Sequence, residues 1–443
     1  MKPYSKYIPS GIQWIGNIPE HWMSMPLKRL SDITLGKMLT PEDKGGYVFK
    51  PYLRAQNLQW FQPNVNDVNE MWFSENELNQ YRIYRGDLLV SEGGEAGRTC
   101  IWNDEIPEVY FQNSVNRVKV NSDNLPKYFL YQFAMMGFCG HFNAIVNKVS
   151  IAHLTKEKLK ETVFITPPLT EQTTITNFLD HKTAQIDNAI TKKQQLIELL
   201  EEERKAIVNE AVTKGINKKI KLKSTGVDWL GEVPEHWQIK KIKHTSYVKG
   251  RVGWNGLRSD EFLDNGYSYL ITGTDFENGL ISWNTCYHID KERYEEDPFI
   301  QLQENDLLIT KDGTIGKTAV VKDLNGYACL NSGIFVVRPL NGFYITSFLY
   351  YILNSNVFTQ FINFTSSGST IQHLYQNVFN EFKFTVPPIS EQKDIVNYIG
   401  KQTAKINNTI SQISQEIELL KEYRQSLIFE AVTGKIKIEV QKN

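Results

Sequence analysis

Five stretches carry residues whose types and spacing invite a chemical reading. Gly313-Thr-Ile-Gly-Lys-Thr318 ends like a phosphate-binding loop. Such a loop needs four residues between its glycines, so that backbone amides can wrap a phosphate. Lys311 stands where the first glycine belongs, and the first half of the chain offers Gly97-Arg-Thr99 with Glu92 at that place. Both are read as strand-turn-strand hairpins. Thr166-Pro-Pro-Leu169 and Val386-Pro-Pro-Ile389 form the second pair of signals. Methyl transfer to a base amino group would need a side-chain acceptor before the prolines and an aromatic after them to stack the base. Neither copy has either, and no glycine-rich turn follows a strand to hold a methyl donor, so the prolines are read as helix entries. Pro41-Glu-Asp-Lys44 occurs in one half only and lacks the second strand-borne carboxylate that a metal pair wants, which makes it an exposed turn. His153 and His373 occupy matching places before expected helix starts, where structural hydrogen bonding is the expected role. Cys100, Cys139, Cys286 and Cys329 form no CxxC pair, as suits free thiols in a reducing compartment. No catalytic residue and no metal site follow from these spacings.

The elements that must position any functional group are written twice. Gly11-Ile-Gln-Trp-Ile-Gly-Asn-Ile-Pro-Glu-His-Trp22 returns as Gly226-Val-Asp-Trp-Leu-Gly-Glu-Val-Pro-Glu-His-Trp237, identical at seven of twelve positions. Gly86-Asp-Leu-Leu-Val90 matches Asn305-Asp-Leu-Leu-Ile309, Gly97-Arg-Thr99 matches Gly316-Lys-Thr318, and Ile151-Ala-His-Leu154 matches Ile371-Gln-His-Leu374. Pro167-Pro-Leu-Thr-Glu-Gln172 matches Pro387-Pro-Ile-Ser-Glu-Gln392, and Glu210-Ala-Val-Thr213 matches Glu430-Ala-Val-Thr433. The offset drifts only from 215 to 220 residues, too long for a solenoid unit, so the halves are duplicated domain pairs.

Periodicity divides each half again. Residues 23–165 and 238–385 are aromatic, rich in Asn and Gly, and broken into short apolar runs. Leu88–Val90, Val115–Val120, Leu307–Ile309 and Ile334–Val337 read as strands, and Phe129–Phe142 and Ile345–Phe361 as helices, giving mixed α and β domains. From Glu171 to Val212, apolar residues fall at Ile175, Leu179, Ile186, Ile190, Ile197, Leu200, Ile207 and Ala211. From Glu391 to Val432 they fall at Ile395, Ile399, Ile406, Ile410, Ile413, Ile417, Leu420, Leu427 and Ala431. Steps of three and four mark a coiled-coil seam. Each such helix would be roughly 60 Å long, and alone it cannot bury its stripe. The two are expected to pack on each other.

Bulk composition excludes some classes and leaves others open. The 443 residues allow two to four domains. Basic and acidic side chains nearly balance, 49 against 50, which argues mildly against a protein held on nucleic acid by phosphate charge alone. The local basic run Lys214, Lys218, Lys219, Lys221 and Lys223 suits a solvated linker as well as a partner site. No signal-length apolar core and no membrane-length run occur, so a cytoplasmic location is expected.

Two aromatic, loop-rich domains, each followed by a long heptad helix, resemble the specificity subunits of type I restriction-modification systems. The telling residues are Ile18-Pro-Glu-His-Trp22 and Val233-Pro-Glu-His-Trp237, the Asp-Leu-Leu strands with their Gly-Arg/Lys-Thr sequels, and the Pro-Pro-Leu/Ile-Thr/Ser-Glu-Gln entries. The resemblance covers nearly the whole chain. It implies an α+β protein of two mixed α/β target recognition domains separated by two long antiparallel coiled-coil helices, as a pseudo-two-fold repeat. The blocks would be residues 1–165 (first recognition domain), 166–224 (first spacer helix and linker), 225–385 (second recognition domain) and 386–443 (second spacer helix). Each domain would read one half of a split double-stranded DNA target. The helices would dock two methyltransferase subunits, through Ile197, Leu200, Ile417 and Leu420, and two restriction/translocase subunits can join. S-adenosylmethionine, ATP and Mg would belong to those partners, with no cofactor in this chain.

Direct readout needs Arg, Lys, Asn, Gln, Ser or Thr that reach base edges in the major groove. In the first domain the candidates are Arg54, Gln56 and Asn57, with Arg98 and Lys148. In the second they are Thr272 and Thr274, Lys311 and Lys317, and Ser367 and Ser369 of the Ser366–Thr370 loop. Two other readings stay open: a self-sufficient restriction enzyme, against which the missing motifs speak, and a coiled-coil scaffold, which would not need two globular domains.

Overall fold

The computed structural model describes residues 2–145, 153–251, 256–365 and 373–439. The apolar stripes and proline entries translate into two long helices, Leu169–Lys214 and Ile389–Val432, each beginning directly after its Pro-Pro. The chain divides into two compact units that cut through both helices, residues 1–193 with 414–443, and residues 194–413. Each unit therefore holds one mixed domain, part of one long helix and part of the other.

In the first unit a four-stranded antiparallel sheet runs in the order 31–35, 115–120, 88–91 and 99–101. A three-stranded sheet orders 69–73, 48–53 and 110–111. In the second unit a six-stranded sheet orders 246–249, 334–339, 307–310, 318–320, 280–281 and 276–277, beside a three-stranded sheet of 287–289, 268–271 and 327–330. The four expected strands all form, the central ones fully buried at Leu88–Ser91 and Leu307–Thr310. The two expected domain helices each break. Residues 126–138 and 141–145 part at Gly140, whose φ of 70° ends the first. Thr346–Leu353 and Asn356–Thr365 part at Ser355, whose hydroxyl accepts from the Val357 amide at 3.3 Å and donates to the Ile352 carbonyl at 2.7 Å.

The helix pair is antiparallel within each unit. In the first, Lys193 pairs with Glu416, and Arg424 with Asp187 at 3.0 Å. In the second, Arg204 donates to Asn407 Oδ1 at 2.8 Å, the same junction with Asn in place of Asp. The stripes do what their spacing demands. Ile175, Leu179, Ile186, Leu427, Ile428 and Ala431 join the core of the first unit. Val208, Ala211, Val212, Ile395 and Ile399 join that of the second.

The repeated sequence blocks meet at the helix ends. Glu171, in the first turn of its helix, accepts from three groups: the Tyr4 hydroxyl at 2.9 Å, the Trp22 indole at 3.1 Å, and His21 Nε2 at 2.6 Å. A carboxylate there also faces the positive end of the helix dipole. Burial and the Glu171 carboxylate together hold the Tyr4 hydroxyl in its protonated form. Trp22 also covers the end of the other helix. A Cβ on Gly434, at φ +69°, would sit 2.4 Å from the Pro19 ring and 3.1 Å from the Trp22 ring. The second unit repeats the device: His236 meets Glu391 at 2.8 Å, and Trp237 lies 3.2 Å from a Cβ on Gly215. One difference remains, since the buried Trp237 indole makes no hydrogen bond among the described residues.

The neighbouring glutamines are buried and fully used. Gln172 accepts from the Leu125 amide at 2.8 Å and donates to the Pro167 carbonyl at 2.9 Å. Gln392 accepts from the Ile345 amide at 2.9 Å and donates to the Phe343 and Pro387 carbonyls at 3.0 and 2.8 Å. Each stitches a domain helix to the start of a long helix.

Removal of the carboxylate should therefore hurt the two units unequally. Glu171→Ala orphans a buried indole as well as a histidine and a tyrosine, at a cost of roughly 2–3 kcal/mol, whereas Glu391→Ala should cost about 1 kcal/mol. Urea unfolding of the two variants against the parent chain checks the order.

Candidate nucleic-acid interface

The candidate site of each domain is built on the hairpin that follows the Asp-Leu-Leu strand. Asp87 and Asp306 set its root. Asp87 accepts from the Tyr84 amide at 2.9 Å, and Asp306 from the Gln303 amide at 2.7 Å. The intervening Gly86 (φ 90°) and Asn305 (φ 70°) take left-handed conformations, which explains why glycine and asparagine alternate there. Arg338 grips Asp306 with two nitrogens, at 2.6 and 2.7 Å. Burial pushes the Asp87 carboxyl up, while the Tyr84 amide and Arg117 pull it back. These aspartates are turn formers and ion-pair partners.

The hairpin tips then close through the same bonds. The Gly97 amide donates to the Ser91 carbonyl at 2.9 Å, and that of Gly316 to the Thr310 carbonyl at 3.0 Å. Ser91 and Thr310 bend their hydroxyls onto the tip carbonyls of Gly93 and Thr314. Strands 99–101 and 318–320 follow directly, where a phosphate-binding loop would lead into a helix. The hairpin reading of Gly97-Arg-Thr99 and Gly316-Lys-Thr318 is the observed one.

Beside each tip sits a short turn carrying the other candidates, and the repeat reaches it too. Arg98 Nη2 donates to the Ala55 carbonyl at 3.0 Å, and Lys317 Nζ to the Gly273 carbonyl at 3.2 Å. In the first domain the hairpin and turn frame a cleft of about 510 Å³ lined by Gln56, Glu92, Arg98, Asn113, Ser114 and His153, among others. Gln56 is exposed to it. In the second, Thr274 is exposed beside Thr272, whose hydroxyl lies 2.7 Å from that of Thr274 and 2.8 Å from Asp275. Lys311 lies with its ammonium 5.2 Å from the centre of the Phe335 ring.

Several candidates are committed elsewhere. Asn57 is only 3% exposed and spends its whole amide on structure: Oδ1 accepts from the Arg54 amide at 3.0 Å, and Nδ2 donates to the Asn64 and Asp67 carbonyls at 3.0 and 2.8 Å. It is a cap of the turn and cannot reach a base. Its counterpart Asp275 does the same for the Thr272 amide at 2.7 Å. Arg54 is ion-paired with Asp67 at 2.6 Å, and Arg98 with Glu95 at 3.1 Å. Lys148, Ser367 and Ser369 lie outside the described residues. Glu92, Asn113, Ser114 and His153 were not among the candidates, although the repeat already aligned Glu92 with Lys311. On the long helices, Ile417 and Leu420 pack inward, Ile417 at 6% exposure. The most exposed apolar residues of the long helices are Leu199 (61% exposed) and its repeat counterpart Leu419 (63%), with Leu196 and Tyr423 also outward. Among the described residues no cluster of His, Cys, Asp or Glu could hold a metal ion, and no helix is long and apolar enough to cross a membrane.

The family model of the type I restriction modification DNA specificity domain matches the chain twice, over residues 19–201 and 234–419. The chain belongs to that family. The two matched segments are the two copies of the repeat, and each contains one hairpin and turn. Similar proteins include the type I restriction enzyme EcoBI specificity subunit of Escherichia coli, 24% identical over 97% of this chain and 89% of the relative. The putative MjaX specificity subunit of Methanocaldococcus jannaschii is 22% identical over 96% of each. Among solved structures, a chain from work on assembly and conformational transition of the type I R-M system superposes with a TM-score of 0.74. It is 14% identical and covers 95% of this chain and 99% of that one. The HsdS subunit of Thermoanaerobacter tengcongensis gives 0.54 at 14% identity, covering 95% and 98%. These likenesses establish the fold: two specificity domains and two long helices, as an internal repeat.

Two neighbouring polar residues of the first turn should now behave oppositely. Asn57→Ala should lower stability by roughly 1–3 kcal/mol, since the buried amide's three bonds to the backbone are lost, and leave any sequence preference of the folded chain intact. Gln56→Ala should leave stability within about 0.5 kcal/mol, as for exposed positions generally, and alter the preference. Denaturation curves paired with DNA-binding or methylation profiles separate the two.

Proposed function

We propose that the chain is the non-catalytic DNA-reading subunit of a cytoplasmic type I restriction-modification complex, each domain reading one half of a bipartite duplex target. The observation that carries this is the pair of hairpin-and-turn faces, which share their principal backbone bonds and differ in side chains. A shared frame with exchanged polar groups is what two readers of different base sequences require. The near-neutral charge fits a subunit that shares its phosphate contacts with partners. Those partners are two methyltransferase subunits carrying S-adenosylmethionine, with motor-nuclease subunits using ATP and Mg.

The docking surface for the methyltransferases follows from the seam. Ile417 and Leu420 are turned inward, so the outward Leu199 and Leu419 are the residues offered to a partner. Leu199→Glu and Leu419→Glu should keep helix content in circular dichroism and abolish co-purification with the methyltransferase. Ile417→Glu buries a charge in the seam and should unfold the pair instead. Intact complexes from both outward variants on size-exclusion chromatography would remove this surface from the assignment. The function itself is tested by co-expressing the chain with its methyltransferase and mapping methylated bases genome-wide. A two-part motif that vanishes without the chain supports the assignment; methylation independent of the chain, or methyl transfer by the chain alone, contradicts it.

A further inference from the structure

Positions 92 and 311 are the same place on two copies of one frame, and they hold opposite charges. The Glu92 amide donates to the Ser114 carbonyl at 3.0 Å, and the Lys311 amide to the Gly333 carbonyl at 2.8 Å. The Glu92 carbonyl accepts from the Leu154 amide at 2.7 Å, and the Lys311 carbonyl from the Leu374 amide at 2.8 Å. Both residues directly follow a fully buried strand, Leu88–Ser91 or Leu307–Thr310. The root of each side chain is therefore pinned on both sides, which is what a residue needs to discriminate between ligands by geometry.

Two neighbours of opposite charge are occupied elsewhere. Arg98, across the cleft from Glu92, is spent on the Ala55 carbonyl and on Glu95. Asp312, next to Lys311, is paired with His373. Neither Glu92 nor Lys311 has a side-chain hydrogen bond or ion pair to a described residue. Glu92 lines the cleft beside Gln56. Burial pushes its carboxyl above the usual range, His153 pulls it down and Glu157 pushes it further up. A half-buried carboxylate beside DNA phosphates is repelled unless the ligand offers a donor in return, so its presence on a reading face acts as a filter.

We infer that Glu92 and Lys311 specify bases of opposite chemistry, Glu92 accepting from the exocyclic amino group of cytosine or adenine and Lys311 donating to guanine. In the major groove cytosine and adenine present an amino donor, while guanine presents two acceptors, N7 and O6, to a cation. This inference rests on the two domains being DNA readers. It adds which position in each reader sets a base and which kind of base that is.

The test uses the full chain co-expressed with its methyltransferase. Variants Glu92→Gln, Glu92→Lys and Lys311→Glu are compared with the parent by genome-wide methylation mapping, with thermal melting as a control for folding. Expected is a parental motif whose Glu92-dependent position is C or A and whose Lys311-dependent position is G, in different half-sites. Glu92→Lys should reduce methylation of the parental motif by about tenfold or more and relax or change that one base, leaving the other half-site untouched. Lys311→Glu should do the same at a guanine of the other half-site. The isosteric Glu92→Gln keeps the shape and should weaken discrimination at the same single position, which covers the case in which Glu92→Lys does not fold. Folded variants that keep the parental preference at every position overturn the inference, as does a uniform loss of activity with no base position altered. A parental complex that directs no bipartite methylation overturns instead the reading on which it rests.

Discussion

A His-Trp pair packed against the start of one long helix and the end of the other holds each unit together. An amphipathic helix of 44 or 46 residues cannot bury its stripe alone, and two of them side by side still have ends that must be fixed to something. In the first unit Trp22 lies against Gly434 at the end of one helix and hydrogen-bonds Glu171 at the start of the other. In the second, Trp237 lies against Gly215 in the same way, and it is His236 that bonds Glu391. Domain, helix start and helix end are thereby locked in one place, and the seam residues Ile175, Leu179, Ile395 and Ile399 continue the lock into the core.

This arrangement accounts for the distribution of likeness along the chain. Pro-Glu-His-Trp, Asp-Leu-Leu, Thr/Ser-Glu-Gln and Ala-Val-Thr are the most alike blocks of the two halves, and all of them serve junctions, turns or cores. The Gln172 and Gln392 amides, for instance, satisfy backbone groups that would otherwise be buried without partners. The segments between these blocks carry the exposed polar residues and differ freely. A protein that must change what it reads without changing how it assembles is served by that division.

Much of this was legible in the sequence. The repeat revealed the duplicated architecture, and the steps of three and four placed both long helices to within two residues at each end. The absence of a phosphate-binding loop followed from the single glycine spacing around Lys311, and the observed hairpins agree. Side-chain roles were harder to foresee because they depend on neighbours distant in sequence. Asn57 looks like a base reader by type, yet its amide is consumed by Asn64 and Asp67 across a turn that composition alone does not reveal. Ile417 and Leu420 lie on the right stripe, but a stripe does not say which of its edges is left uncovered; that was Leu419. Glu92 was visible only as a missing glycine, and its significance emerged when its backbone proved to be bonded like that of Lys311.

The central claim is that one scaffold carries two independent readers. The most direct measurement is the methylome of a chimaera in which the residues between the first unit's Pro-Glu-His-Trp and Pro-Pro-Leu blocks are exchanged for those of another family member. The account predicts a motif with one new half and one parental half. A chimaera that folds, assembles and rewrites both halves together would contradict it.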